Sequence, residues 1–207
     1  MEIKSIRQKK LVSVTFFSIF ILISFSCCQL QPKGKNVPSV DRHHPHNFIA
    51  HHGMVVAAHP LAAQAGLDML KKSGNAVDAA IATAYALNAC EPFASGIGGG
   101  GFMVIYLAHL KKITIINFRE KAPALASARM FFFEGKIKEE WSRTHGLAVA
   151  VPGALAGWAY VLNKYGSKSL SSVLARAIEI AEKGFKVSQT FSNINKDQYE
   201  KLLLNAG

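Results

Sequence analysis

A run of glycines followed downstream by an arginine contains the residue types in this chain that are best suited to binding a ligand. Five of the six residues from Gly96 to Gly101 are glycine. Glycine inside a helix or strand costs conformational entropy, so this run indicates a turn or the close approach of another backbone or a ligand. Arg119 carries a permanently charged, forked donor suited to a carboxylate or phosphate. Together these features predict a site for an anionic ligand.

Two familiar phosphate-binding motifs do not fit the glycine run. A P-loop ends in Gly-Lys-Ser or Gly-Lys-Thr, whereas Gly101 is followed by Phe102. A dinucleotide-binding fingerprint opens a helix, but the apolar residues after Gly101 are typical of a strand. The glycines are interpreted as shaping the backbone rather than contacting a ligand. The alternative for Arg119 is an ordinary surface ion pair, with Glu120 as one partner.

The spacing of apolar residues predicts the elements that position this region. Strands over 102–107 and 113–118 are expected to form an antiparallel hairpin, which returns Arg119 to the glycine run. One folded α and β unit is predicted over 48–207. It also contains strands at 53–58 and 148–151, and helices from Pro60 to about Gly74 and over 76–89, 154–164 and 170–183.

The beginning of the chain has the layout of a secretory signal. Four cations precede an apolar run over 11–25. This run is shorter than the roughly 20 residues needed to span a bilayer. Residues 1–26 are therefore interpreted as a signal peptide and 27–47 as a disordered tether. The expected location is periplasmic or envelope-attached, with acylation of Cys27 as a lipoprotein anchor left open.

Charge and cysteine content exclude some classes of partner and framework. The formal net charge is +11, and removing the four cations and one anion of residues 1–26 leaves +8. The cations are spread along the chain without interleaved aromatic residues, so solubility or an anionic envelope explains them better than nucleic acid does. The chain has 3 cysteines, which encode no disulfide framework. Cys90 is interpreted as a small buried hydrophobe.

Several other polar and aromatic residues have structural interpretations. Asn75 and Asp78 stand at a predicted helix start, where capping explains them better than catalysis does. Trp141 and Trp158 are interpreted as packing residues. A histidine-rich metal site over 43–52 is an alternative that rests on composition alone.

Six short motifs, taken in their order along the chain, are specific enough to compare this sequence with one protein family. They cover residues 53 to about 188. In this order the motifs closely resemble the γ-glutamyltranspeptidase (glutathione hydrolase) family. They are Gly53-Met54-Val55, Gly74-Asn75-Ala76-Val77-Asp78-Ala79-Ala80, the glycine run to Phe102, Asn117-Phe118-Arg119-Glu120 with Ala122-Pro123, Val151-Pro152-Gly153 and Gly184-Phe185.

The resemblance implies an α/β fold, the four-layer αββα sandwich of N-terminal nucleophile hydrolases, of which this chain holds an incomplete part. Such precursors cleave themselves into a large and a small subunit. The threonine exposed at the start of the small subunit then attacks a γ-glutamyl amide, as in glutathione. The glutamyl group passes to water or to an acceptor amino acid or peptide. Arg119 matches the large-subunit arginine that binds the α-carboxylate, and no cofactor or metal is implied.

The sequence also departs from the family pattern. No Thr-Thr-His motif occurs in its 207 residues, and Thr144-His145 precedes Val151-Pro152-Gly153, so no catalytic residue is assigned. The chain is therefore interpreted as an N-terminal part of the large subunit that is inactive by itself. The alternatives are a non-catalytic envelope protein that retains a carboxylate site and a histidine-rich metal-binding lipoprotein.

Overall fold

Two close-packed helices rich in small residues form the centre of the structure, which is a computed structural model that describes residues 48–203. The predicted signal peptide, Cys27 and the tether over 27–47 lie outside the described residues. So do three of the histidines of the alternative metal site, at 43, 44 and 46. From Ala50 onwards the contacts define one unit.

The described residues form five α-helices and two short antiparallel hairpins. Three single 3-10 turns occur in the connections, at Ala108–Leu110, Glu139–Ser142 and Gly146–Ala148. In chain order the elements are α1 (Pro60–Lys71), α2 (Ala76–Cys90), β1 (Phe102–Leu107), β2 (Lys112–Asn117), β3 (Phe132–Phe133), β4 (Lys136–Ile137), α3 (Ala154–Tyr165), α4 (Leu170–Lys183) and α5 (Gln189–Leu203).

Small side chains let α1 and α2 approach closely. A Cβ added at Gly66 would collide with the Thr83 hydroxyl and lie 2.8 Å from a methyl group of Val55. Close approach brings more atoms into van der Waals contact across the interface. Helix α2, which confirms the predicted helix over 76–89, is thus buried through its small residues. The buried apolar side chains on the two helices are Ala62, Ala65, Met69, Val77, Ala79, Ile81, Ala82, Ala86 and Cys90.

The β1–β2 hairpin is confirmed, with one face on the helices and one face towards solvent. Phe102 pairs with Asn117 and Leu107 with Lys112. Met103 and Ile105 point inward and pack against the core formed with α3 and α4. Strand β2 begins one residue earlier than predicted, because Lys111 takes a left-handed conformation, φ 49°, that ends the connecting turn.

Two predicted strands are wrong. Residues 53–58 run without regular secondary structure, although Val55 packs against the core. Residues 146–148 form a 3-10 turn, and only Val151 makes a bridge, to Lys121. Apolar β-branched residues favour an extended chain, but a ladder also requires a neighbouring strand to satisfy its N–H and C=O groups. Within residues 48–203 neither segment has such a ladder partner.

Helix α5, which the sequence analysis did not predict, is held by aromatic contacts near its start. The Phe191 ring stacks on Phe185 with centroids 6.2 Å apart and contacts Phe93 at 5.3 Å. None of its residues is fully buried. In the part of the chain described here, no helix combines the length and apolarity needed to cross a membrane.

Candidate carboxylate-binding site

The glycine run and the end of β2 are joined by backbone hydrogen bonds. The Gly101 N–H donates to the Phe118 carbonyl at 3.3 Å, and the Phe118 N–H donates to the Gly101 carbonyl at 3.0 Å. The antiparallel pairing thus continues beyond the last ladder residues of the hairpin. The sequence prediction that Arg119 returns beside the glycine run is confirmed.

The start of α3 completes the backbone framework. The N–H groups of Gly153 and Ala154 both donate to the Gly99 carbonyl at 3.0 Å. Lys121 and Val151 exchange two further hydrogen bonds, at 3.2 and 2.8 Å. Arg119 therefore lies on a short segment that neighbouring segments hold on both sides.

Two glycines are required here by the closeness of the backbones. A Cβ at Gly100 would lie 2.5 Å from the Phe118 carbonyl oxygen and 2.8 Å from the Glu120 nitrogen. A Cβ at Gly153 would collide with the same carbonyl group. Real Cβ atoms do not approach other heavy atoms so closely. The glycines therefore shape the backbone around Arg119, in agreement with the interpretation made from the sequence.

Arg119 presents its guanidinium to solvent beside this framework. Its side chain is 59% exposed, whereas that of Glu120 is 25% exposed. The Arg119 N–H donates to the Asn117 side-chain oxygen at 3.0 Å, which fixes the backbone turn. The Arg119 Nε lies 3.2 Å from Glu120 Oε2. No hydrogen bond from residues 48–203 reaches the two Nη groups, so the outer edge of the fork faces outward.

Glu120 is positioned to orient the arginine. Its Oε2 atom is buried and forms no hydrogen bond of good geometry within the described residues. The ion contact with Arg119 Nε, although poorly aligned, is thus the interaction available to that oxygen. An exposed ion pair of this kind contributes little stability. We expect it to matter for the direction of the guanidinium.

A groove of about 440 Å³ runs from Arg119 towards α3. Lys121 lies on the same side, and Tyr160 lies at the helix. Two cations and an apolar floor suit an anionic, partly aliphatic ligand. The floor and walls also include Ile116, Phe118, Val151, Pro152, Gly153, Ala156 and Gly157.

Asp78 is buried at the start of α2 and serves the structure. Its carboxylate accepts hydrogen bonds from the Asn75 N–H at 2.8 Å, the Ser167 N–H and hydroxyl at 2.9 and 2.6 Å, and the Lys168 N–H at 3.0 Å. Burial by itself raises the pKa of Asp78, but these hydrogen bonds outweigh it and leave the pKa below its usual value. The capping interpretation of Asn75 and Asp78 is confirmed by this reciprocal capping box.

The other residues singled out from the sequence lie away from the groove lining. Cys90 is buried, and burial, followed by the charge of Glu91, raises the pKa of its thiol. Trp158 packs edge-on against Tyr85 in the core, and Trp141 stacks on His145. Their packing interpretations are confirmed. Among residues 48–203 no three histidine, cysteine or acidic side chains gather into a group that could hold a metal.

Sequence reasoning missed Lys121 and Tyr160 as parts of this groove. Lys121 could have been found from its position, since residues two apart in an extended segment share a side. Tyr160 could not, because its contribution depends on how α3 lies across β2. The nearest sequence signal for that packing is Gly157, where a Cβ would collide with the Phe118 side chain.

The fold of the described residues matches a class of enzymes of known structure. The crystal structure of Helicobacter pylori gamma-glutamyltranspeptidase superposes with a TM-score of 0.74 at 39% sequence identity, covering 77% of this chain and 46% of that one. This similarity places the fold with the αββα N-terminal nucleophile hydrolases, as the sequence predicts. The family model for gamma-glutamyltranspeptidase matches residues 62–206. The chain belongs to the gamma-glutamyltranspeptidase family.

Curated relatives agree with that membership. The glutathione hydrolase proenzyme of Bacillus subtilis (strain 168) is 47% identical over 152 residues, which are 72% of this chain and 26% of the relative. The glutathione hydrolase proenzyme of Escherichia coli (strain K12) is 40% identical over 161 residues, 77% of this chain and 28% of the relative. The chain thus spans little more than a quarter of the length of these relatives.

Proposed function

We propose that this chain provides the Arg119 side of the substrate site in a glutathione hydrolase or γ-glutamyltransferase. The observation that carries the proposal is the outward guanidinium fork of Arg119, on a backbone segment that hydrogen bonds hold beside the glycine run and the start of α3. The names of the relatives support a γ-glutamyl substrate. In this proposal Arg119 binds the α-carboxylate of the γ-glutamyl group through two charge-assisted hydrogen bonds.

Holding the α-carboxylate would place the γ-amide for attack. The nucleophile expected from the family is a threonine hydroxyl, which would add to the amide carbon and expel the amine with a proton. The resulting ester would be cleaved by water or by an acceptor amine. Arg119 contributes orientation rather than bond making, and fixed geometry of this kind accounts for a large part of enzymatic acceleration.

The proposed partner is the small subunit that autoprocessing produces in this family. Five apolar side chains on the outer face of the β1–β2 hairpin are each 60 to 67% exposed. A contiguous apolar strand face is typical of a sheet that packs on another sheet. We propose that strands of the small subunit cover this face. The five residues are Phe102, Val104, Tyr106, Ile113 and Ile115.

Export to the periplasm or the envelope remains a proposal based on residues 1–26. Glutathione and other γ-glutamyl compounds would be met there as extracytoplasmic substrates. Fusing residues 1–47 to a reporter that is active only after export would test it. A reporter that stays inactive would contradict this location.

The proposed function is tested by assembling the site. This chain is co-expressed with the rest of the large subunit and the small subunit of the Bacillus subtilis relative, the small subunit beginning at its threonine, and glutathione hydrolysis is measured in the purified complex. The proposal predicts activity in the complex and none in either part by itself. A complex that forms but binds glutathione without cleaving it would favour the non-catalytic binding protein. A complex that neither binds nor cleaves glutathione would refute the proposal.

A further inference from the structure

Arg119 and Lys121 form a pair of cations on one side of an extended segment. Lys121 exchanges two hydrogen bonds with Val151 in an antiparallel bridge, so the backbone there is extended. Side chains alternate along extended backbone, and residues two apart share a side. Both cations line the groove, whereas the Glu120 Oε1 atom lies 3.7 Å from the position of a Cβ on Gly99. The carboxylate of Glu120, which lies between the two cations in sequence, is thus directed towards the glycine run.

The groove beyond Arg119 has no acidic side chain in its lining. Of its lining residues, only Arg119 and Lys121 carry charge. Lys164, which donates to the Tyr160 hydroxyl at 2.9 Å, adds a further cation behind that ring. Glu120 contacts Arg119 from outside the lining and offsets part of its charge. The groove therefore keeps a net positive charge, which favours an anionic ligand that reaches both cations.

We propose that Lys121 binds the second carboxylate of γ-glutamyl dipeptides, located on the residue joined to the γ-glutamyl group; in glutathione that carboxyl is part of the peptide bond to glycine. This inference rests on the proposed function, in which Arg119 binds the first carboxylate. In a γ-glutamyl dipeptide seven bonds separate the two carboxylate carbons, about 8 to 9 Å when extended. The Cα atoms of residues two apart in a strand are about 6.6 Å apart. The flexible lysine side chain can span the difference between this distance and the separation of the two carboxylates. Lys121 is then a specificity-determining residue for γ-glutamyl peptides with a free carboxylate next to the scissile amide.

The expected size of the effect follows from the exposure of Lys121. Exposed ion pairs contribute modestly and are screened by salt. We therefore expect a preference of about 3- to 10-fold for the dicarboxylate at low ionic strength, falling as salt is added. Arg119, with its bidentate geometry, is expected to affect every γ-glutamyl ligand.

The test uses two ligands that differ only in this carboxylate. Binding of γ-glutamylglycine and of γ-glutamylglycinamide is measured by titration calorimetry in the same complex, with the nucleophilic threonine of the small subunit replaced by alanine so that neither ligand is cleaved. Lys121→Gln removes the charge but leaves the backbone bridge to Val151 intact. Lys112→Gln is the matched control, since Lys112 is exposed at the opposite end of β2. Thermal melts of both variants establish that they fold as the wild type does.

The outcomes separate this inference from the proposed function. Wild type and Lys112→Gln are expected to prefer γ-glutamylglycine by about 3- to 10-fold, and Lys121→Gln to bind both ligands equally. Equal binding of the two ligands by wild type, or an unchanged preference in Lys121→Gln, would overturn the role of Lys121. The proposed function would still stand if both ligands bound and their binding depended on Arg119. Binding of neither ligand by a folded wild-type complex would overturn both.

Discussion

Gly153 lies directly against the carbonyl group of Phe118, in a space that no other residue type fits. Phe118 immediately precedes Arg119, and the N–H of Gly153 is bonded to the glycine run through the Gly99 carbonyl. The Val151-Pro152-Gly153 motif therefore affects the site by fixing the position of the backbone that carries Arg119. The start of α3 and the arginine segment are fixed relative to each other by this contact.

Gly153→Ala tests that contact. The added methyl group would collide with the Phe118 carbonyl, so we expect a loss of about 1 to 3 kcal/mol of unfolding free energy. We also expect weaker binding of γ-glutamyl ligands, because the Arg119 backbone must move. Urea denaturation and ligand titration measure the two effects.

Gly146→Ala is the matched control for that substitution. A Cβ at Gly146 meets nothing within 4 Å, so the stability and ligand affinity of the Gly146→Ala variant are expected to equal those of the wild type. If Gly153→Ala behaved like this control, the carbonyl contact would not constrain the site.

Asp78→Asn is expected to destabilise the start of α2. An amide in place of the carboxylate would set N–H donors against the donors of Asn75 and Ser167, which leaves buried groups unsatisfied. We expect a loss of about 2 to 3 kcal/mol at pH 7, measured by urea denaturation. Asp197→Asn, an exposed change on α5, is the control and should have no such effect.

The same residue predicts a pH dependence. The pKa of Asp78 is lower in the folded chain than its ordinary value, so its contribution is complete above that value and is lost as the pH falls through the folded pKa. The difference in stability between wild type and Asp78→Asn should therefore shrink below about pH 4. A difference that stayed constant down to pH 2 would show that folding does not lower the pKa of this carboxyl.

The helices and the first hairpin could be predicted because local sequence determines them. The capping residue Asn75, the alanine run of α2 and the alternation in β1 each suffice to indicate an element. The pairing of Arg119 with the glycine run followed from hairpin geometry alone. These are interactions between residues close in sequence or joined by one tight connection.

The other parts of the fold and of the groove could not be predicted, because they depend on contacts that no local sequence pattern indicates. Residues 53–58 have strand-like composition, but without a paired neighbour they form no ladder. The Tyr160 side of the groove depends on α3 crossing β2 at Gly157. Helix α5 is polar along most of its length, and its position follows from the contacts of Phe191 with Phe185, just before the helix, and with Phe93, which is distant in sequence.

Phe191→Ala is expected to release α5. The ring packs between Phe93 and Phe185, and the helix has no fully buried residue to replace these contacts. Amide hydrogen exchange should accelerate across α5 and stay unchanged in α2, because segments with few buried contacts open independently. Tyr199→Ala, an exposed change on the same helix, should leave exchange unaltered. Unchanged exchange in Phe191→Ala would show that other contacts hold α5.

Val104→Lys tests the proposed partner surface. Val104 is 67% exposed on the outer face of the hairpin, so the chain itself should keep its stability. Binding to the small subunit should weaken at least 10-fold, because a charge would be buried between two sheets. Co-purification and titration measure the binding. Leu125→Lys, at a residue that is 95% exposed, is the control, and equal binding by the two variants would argue against a sheet on this face.

The most direct test of the central claim removes the α-carboxylate from the ligand and the charge from Arg119. The complex with the small subunit is assayed with γ-glutamyl 4-nitroanilide and with 4-aminobutyryl 4-nitroanilide, which lacks only that carboxylate. Wild type is expected to prefer the first by about 100-fold in kcat/KM, and Arg119→Gln to lose nearly all of this preference. Full retention of the preference in Arg119→Gln would show that another group binds the carboxylate and would contradict the account.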